Sequence, residues 1–131
     1  MDDLYIARTP HSPEVNFQFS NHQLSMIGEA YPENANDFFL PVLGQLKHYL
    51  DHTDGQHIVF DFRLTYFNSA ATKMLYTLFG LLNESASTRN RITLNWFHDV
   101  EDDTILEFGE GIQDDFLALD FHAIAEDLAA A

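Results

Sequence analysis

The run Ile58-Val59-Phe60-Asp61-Phe62-Arg63-Leu64-Thr65-Tyr66-Phe67-Asn68-Ser69-Ala70-Ala71-Thr72-Lys73 changes its periodicity partway along. Ile58 to Phe62 is short, apolar and rich in strand formers, as a buried central strand is. From about Ser69 to Ala86 the spacing is helical, with Met74, Leu75, Leu78, Leu81 and Leu82 on one stripe. A strand that feeds a helix is half of a strand–helix–strand unit. Ile92-Thr93-Leu94-Asn95-Trp96-Phe97 supplies the second strand. Such units call for parallel pairing through right-handed crossovers.

Upstream, Val15-Asn16-Phe17-Gln18-Phe19 alternates apolar and polar residues, Ser20-Asn21-His22 has turn composition, and Leu24-Ser25-Met26-Ile27 is again strand-like. Together they predict a hairpin. Pro32-Glu33-Asn34 breaks the extended run, and from about Asn36 a helix is expected with Phe39, Val42, Leu43, Leu46, Tyr49 and Leu50 on one face. Pro41 suits that helix only near the first turn, where its missing N–H does little harm. Gly55, after Asp54, ends the unit. Downstream, Asp99 to Asp103 is an acidic connection into a short helix through Ile105, Phe108 and Ile112. Leu119 to Ile124 can supply a final edge strand, and the Ala-rich end is read as helical or frayed. The expected fold class is α/β: a single domain over residues 1–131, built on one mixed β-sheet with an N-terminal hairpin and helices largely on one face.

With 131 residues, 46% of them hydrophobic, the chain can bury a core without disulfides or metal. There is no cysteine, which excludes thiol catalysis and cysteine metal sites. Six Lys and Arg against 21 Asp and Glu leave a formal charge of −15. That balance argues against nucleic acid and anionic membrane surfaces. It suits a basic protein partner, or solubility alone. The opening Met-Asp-Asp-Leu-Tyr-Ile has no basic region or apolar stretch, so a secretory signal is not expected. No apolar run approaches a membrane span, and a cytoplasmic protein is expected.

The junction from Asp61 to Lys73 is where chemistry could sit. Asn68 is a good helix N-cap, because its side-chain oxygen can accept a backbone N–H of the first turn. Ser69 then lies beside exposed N–H groups and the positive end of the helix dipole, where a phosphate is tolerated. Local chemistry alone favours the plainer reading, in which Asn-Ser is simply a cap. Tyr31, Tyr66 and Phe67 fit either core packing or partner contact. His48 and His52, at i and i+4, lack a third ligand and are taken as surface histidines, so no metal is expected. Asp99, Glu101, Asp102 and Asp103 lack calcium-loop spacing. The sequon Asn83-Glu84-Ser85 falls in a predicted helix. No Gly-rich phosphate loop or nucleophile elbow is present.

Four blocks in order, Gly28-Glu29-Ala30-Tyr31-Pro32-Glu33-Asn34-Ala35, Phe62-Arg63-Leu64-Thr65-Tyr66-Phe67-Asn68-Ser69, Asn95-Trp96-Phe97 and Leu106-Glu107-Phe108-Gly109-Glu110, resemble the SiaC family of bacterial biofilm-regulation phosphoproteins. The likeness runs from about Leu4 to about Ile124. It implies a fold similar to the STAS domains of anti-sigma factor antagonists, and a partner-switching cycle without cofactors. In that cycle a Ser/Thr kinase phosphorylates the hydroxyl residue after the Asn of the second block, and a PP2C-type phosphatase reverses it. The unmodified form engages an effector, a diguanylate cyclase. Carried over, the acceptor is Ser69, with Thr72 the alternative. Partner contact is expected from Tyr31, Glu33, Asn34, Arg63, Tyr66, Phe67, Asn68 and Lys73. The family usually has further small hydroxyl residues after the acceptor, whereas Ala70 and Ala71 stand here.

Two rivals remain at this level. One keeps the fold and changes the target to an anti-sigma factor. The other is a hydrolase using Asp61 or Glu33, for which no nucleophile, base and orienting group stand at readable spacing. If the acidic surface steers a basic protein partner, association should slow as salt rises, since screening sets in beyond a Debye length of about 8 Å at physiological ionic strength. Stopped-flow association from low to high salt checks this, and a flat rate would assign the charge to solubility.

Overall fold

In the computed structural model, which describes residues 1–127, the chain forms a six-stranded sheet in the order β1-β2-β3-β4-β5-β6. The strands are β1 (Leu4–Ile6), β2 (Glu14–Gln18), β3 (Gln23–Ala30), β4 (His57–Phe67), β5 (Arg91–Asp99) and β6 (Asp120–Glu126). The helices are α1 (Ala35–Asp51), α2 (Ser69–Thr88) and α3 (Asp103–Asp115). β1, β2 and β3 are antiparallel, and β3 through β6 are parallel. Each parallel crossover steps to the next strand in the same direction. Right-handed connections therefore lay all three helices on one face.

That face is the core. Phe17, Met26, Ile58, Phe60, Phe62, Leu94 and Trp96 point from the strands into the helix layer and are fully or almost fully buried. The predicted face of α1, Phe39, Val42, Leu43, Leu46, Tyr49 and Leu50, is buried as expected. On α2 the buried stripe is Ala71, Leu75, Leu78, Phe79, Leu82 and Ser85, with Met74 and Leu81 only half-buried. Among the described residues the other sheet face carries no helix. Its side chains pair across the strands instead: Asn95 donates to Asp61 at 2.9 Å, and Arg63 lies 3.7 Å over the Phe97 ring while contacting Glu126 at 3.3 Å.

The hairpin predicted from Val15 to Ile27 is β2–β3, turned by a short 3-10 segment at Phe19–Asn21 with His22 in the left-handed region. β1 is an additional edge strand. Its three residues are too few to display alternation, and it is held by pairing with β2. β4 runs five residues beyond Phe62, because Leu64 continues the inward alternation between Arg63 and Thr65. Pro41 is not in the first turn of α1. Asn34 caps the helix, so Pro41 falls in the second turn, with its ring on the exposed side. The Ala-rich end, residues 128–131, lies outside the described residues.

A bulge interrupts the ladder near the end of β4. Gly28 pairs with Leu64 but Glu29 pairs with Tyr66, so Thr65 is the extra residue. Because side chains alternate, one inserted residue exchanges the faces of everything after it. Phe67 thereby turns inward, and Tyr66 turns out to 50% exposure.

At the opposite end of the sheet, the Asn90 amide donates to the Thr53 carbonyl at 2.8 Å and to Ser85 Oγ at 3.0 Å, while its oxygen accepts from Gln56 N at 3.0 Å. One side chain so binds the ends of α1 and α2 to the start of β5.

Trp96 fixes α3. Its indole N–H donates to the Ile105 carbonyl at 2.8 Å, and its ring lies against Gly109. A Cβ at Gly109 would collide with Trp96 Cδ1 and sit 2.7 Å from Nε1. Gly109→Ala should therefore destabilise the domain by about 1–3 kcal/mol, the range for overpacking. Alanine's roughly 1 kcal/mol advantage in a helix opposes this only in part. Urea unfolding checks it: an unchanged or raised midpoint would show that the Trp96 contact does not limit this position.

Candidate functional site

Parallel strands deliver their chain at one edge of the sheet, so the exits of β3 and β4 are neighbours. Ala30 pairs with Phe67, and Asn68 N donates to the Ala30 carbonyl at 3.3 Å. The two exits lead to two helices capped in the same way. Asn34 Oδ1 accepts from Asp37 N at 3.1 Å at the start of α1, and Asn68 Oδ1 accepts from Ala71 N at 3.0 Å at the start of α2. The Tyr-Pro-Glu-Asn block and the Tyr-Phe-Asn-Ser block thus meet in space.

Ser69 is the first residue of α2 and is exposed. Its hydroxyl makes no hydrogen bond among the described residues. Ala70 beside it is exposed too, while Ala71 is fully buried beneath the turn. Thr72 differs. It is half-buried, and its hydroxyl donates to the Asn68 carbonyl at 2.9 Å, alongside its own N–H at 2.9 Å. The two candidate acceptors are therefore unequal: Ser69 offers a free oxygen, and Thr72 spends its hydroxyl on the helix start. Lys73, one turn beyond Ser69, is exposed and forms no ion pair among the described residues.

Aromatic side chains flank this edge. Tyr31 and Tyr66 meet edge-to-face at 5.4 Å, and His11 meets Tyr31 in the same way at 5.8 Å. Tyr66 is thus a surface aromatic. Phe67 packs on Phe108 at 4.6 Å and belongs to the core margin. Of the residues expected at a partner surface, Tyr31, Glu33 and Asn34 lie on the loop before α1, Tyr66 and Phe67 end β4, Asn68 caps α2, and Lys73 opens its second turn. Asn34 and Asn68 are committed as caps. Arg63 is placed elsewhere: its contacts run to Phe97 and Glu126 on the uncovered sheet face.

Asp61, a candidate acid in the hydrolase alternative, accepts from Asn95 on that same face, and Glu33 is exposed on the loop before α1. The His48 and His52 rings lie 4.3 Å apart, tilted by 31°, and Asp102 caps α3 by accepting from Ile105 N at 3.0 Å. Among the described residues no group of three or more His, Cys, Asp or Glu converges on a common point. No described helix is long and apolar enough to cross a membrane.

The sequence pattern does not reveal a groove beside the same edge. Thr65, Tyr66 and Phe67 form one side, and Asp102, Thr104, Ile105, Glu107 and Phe108 of the α3 start form the other, around a volume of about 590 Å³. The bulge at Thr65 orients one wall, and the Trp96 contacts with Ile105 and Gly109 hold α3, the other; neither is a local sequence signal. On the far side of α3, the Tyr76 hydroxyl donates to Asp115 at 3.3 Å. Burial, together with that carboxylate, raises the Tyr76 pKa above the ordinary phenol value.

The family model described as "SiaC family regulatory phosphoprotein" matches residues 6–126. The chain belongs to the SiaC family. An uncharacterized protein of Pseudomonas aeruginosa (strain UCBPP-PA14) is 30% identical over 116 residues, which cover 88% of this chain and 90% of that one. The fold superposes on SiaC of Pseudomonas aeruginosa with a TM-score of 0.86 at 28% identity, covering 96% of this chain and all of that one. It superposes on SiaC in the crystal structure of the diguanylate cyclase SiaD with its activator SiaC, from the same organism, with a TM-score of 0.87 at 27% identity. Coverage there is 95% and 100%. The mixed α/β architecture of this chain is therefore the SiaC architecture, and the chain is a signalling phosphoprotein by family.

The cap at Asn68 holds the first turn in which Ser69 sits. Asn68→Ala should cost about 1 kcal/mol, the usual worth of a side-chain N-cap. Urea unfolding followed by circular dichroism measures it. A loss below a few tenths of a kcal/mol would mean that the backbone bonds alone fix the start of α2.

Proposed function

We propose that this SiaC-family chain is a non-catalytic, cytoplasmic regulator whose state is set by phosphorylation of Ser69. In the unmodified state it binds and controls an effector, a diguanylate cyclase. One observation carries the assignment of the acceptor: Ser69 is exposed with an uncommitted hydroxyl at the first position of α2, while the Thr72 hydroxyl is bound to the Asn68 carbonyl. A cognate Ser/Thr kinase moves the γ-phosphoryl of ATP to Ser69 Oγ, the hydroxyl proton leaves to a base of the kinase, and ADP departs. A PP2C-type phosphatase returns the serine and inorganic phosphate by hydrolysis. The crystallised pairing of SiaC with the cyclase SiaD supports the choice of effector.

The physical effect follows from charge. The phosphate adds about −1.5 to −2 at neutral pH, on a chain already at −15. A partner packed over Tyr66 and Ser69 would have to desolvate that charge or withdraw. Burying an unpaired charge costs several kcal/mol, and about 1.4 kcal/mol is tenfold in affinity. The fold itself should survive, because the phosphate faces water at the favourable end of the helix dipole.

Titrating the cyclase with phospho-Ser69 protein and with unmodified protein, both checked by circular dichroism, should show a loss of roughly a hundredfold on modification. Ser69→Ala should bind like the unmodified form, and Ser69→Asp should lose affinity only partly. Equal affinities for the two genuine forms would remove Ser69 as the switch. Intact mass after incubation with the kinase, comparing Ser69→Ala with Thr72→Ala, locates the acceptor: only Ser69→Ala should block incorporation.

A further inference from the structure

His48 lies in the last turn of α1 and His52 is its C-cap, at the end of the sheet where β4 begins and away from Ser69. The other five of the seven histidines are engaged elsewhere. His57 meets Thr93 Oγ1 at 2.8 Å, His98 meets the Asp99 carbonyl at 3.0 Å, and His122 meets Asp120 at 3.0 Å. His11 lies against the Tyr31 ring, and His22 meets the Tyr49 hydroxyl. His48 and His52 are exposed and face each other, their ring centroids 4.3 Å apart.

One hydrogen bond sets the chemistry of this pair. His52 Nδ1 lies 2.8 Å from the His48 carbonyl oxygen, which can only accept. Nδ1 therefore carries the proton, and in the neutral ring Nε2 keeps its lone pair. A ring N–H donated to a carbonyl is the arrangement that orients a metal-binding imidazole and raises its basicity. The His48 ring contacts His52 and makes no hydrogen bond among the described residues. The spacing of the two residues in the sequence shows the pair but not this tautomer.

The setting favours a cation. The pair stands at the C-terminal end of α1, where the helix dipole is negative, on a chain of formal charge −15. Lys47, the cation next to His48, is paired with Asp51 at 2.7 Å. Bonds of about 2.0–2.1 Å to two imidazoles hold their ring centroids roughly 5 Å apart. A small rotation of one ring thus converts the observed contact into a chelate.

His22 shares a cavity of about 340 Å³ with both residues and with Phe19, Tyr49 and Thr53, but its lone pair is spent. Burial raises the Tyr49 pKa above the ordinary phenol value, so the hydroxyl keeps its proton and donates it to His22 Nδ1. The neutral His22 ring then bears its own hydrogen on Nε2.

We infer that His48 and His52 chelate one divalent metal ion of the zinc or copper type, through His52 Nε2 and a ring nitrogen of His48, with water completing the shell. Imidazole suits these ions, whereas Mg(II) and Ca(II) prefer oxygen. The site has two protein ligands and is open to solvent, unlike the closed four-ligand sites that hold folds together.

Calorimetric titration of Zn(II) into the full chain, free of any affinity tag and stripped with a chelator, tests this. One saturable equivalent is expected. In the isotope-labelled chain Zn(II) should shift the imidazole nitrogens of His48 and His52, and Mg(II) should not. His48→Ala and His52→Ala should each lose about tenfold or more in affinity, at least what disturbing an outer-shell partner of a metal costs. Both positions are exposed, so circular dichroism should be unchanged. His22→Asn, with a residue that tolerates the left-handed backbone there, should bind Zn(II) like the wild type. No saturable binding, or wild-type affinity in both His48→Ala and His52→Ala, would leave two surface histidines and overturn the site. A loss in folded His22→Asn as large as in the pair variants would overturn the two-ligand assignment.

Discussion

Everything in this molecule depends on the direction in which its parallel strands are laid down. From β3 to β6 each strand is placed beside its predecessor on the same side, with a helix between. A right-handed crossover can then return on one face only. The helix layer is consequently single, the core lies between it and one side of the sheet, and the other side must satisfy itself through side-chain pairs such as Asp61 with Asn95 and Arg63 with Glu126. The same constraint collects every parallel strand's exit on one edge. Two asparagine-capped helix starts, an exposed serine and a pair of tyrosines meet there although they are far apart in the chain.

Division of labour among hydroxyls and amides makes that edge selective. Asn34 and Asn68 spend their side-chain oxygens on orphan N–H groups of α1 and α2, and Thr72 spends its hydroxyl on a carbonyl of the same first turn. Among the described residues Ser69 is left without a hydrogen-bonding duty for its hydroxyl. A polar group held in place by its neighbours yet unused by them can be modified without breaking the fold. At the far end the Asn90 amide ties both long helices to β5, so the anchored and modifiable ends of α2 are separated by the length of the helix.

How much of this is legible in the sequence depends on which signals are local. The faces of α1 and the strand-to-helix change before Ser69 are periodicities of a single segment, and they can be read directly. The cap at Asn68 is a rule about adjacent residues, and so is the position of Ser69. β1 cannot be read this way, because Leu4-Tyr5-Ile6 becomes a strand only by pairing with β2. Composition misplaces Pro41, since it does not say which residue before the proline begins the helix, whereas the Asn34 cap does. Arg63 sits in a motif with the switch residues, but alternation sends it to the uncovered face, where Phe97 and Glu126 hold it. The groove is joint property of β4 and α3, and no single stretch announces it.

The bulge at Thr65 gives residue count a meaning of its own. Between Leu64 and Asn68 the chain has an odd-versus-even choice, and the extra residue settles it in favour of Phe67 inside and Tyr66 outside. Had β4 remained a regular ladder, the phenol would have been turned toward Trp96 and Phe108, and the phenyl ring toward water. The local spelling of the signalling edge is therefore a matter of parity as well as of identity. Substitutions there can be absorbed one side chain at a time, but shortening or lengthening this strand by one residue would exchange the inner and outer alphabets of the surface at a stroke.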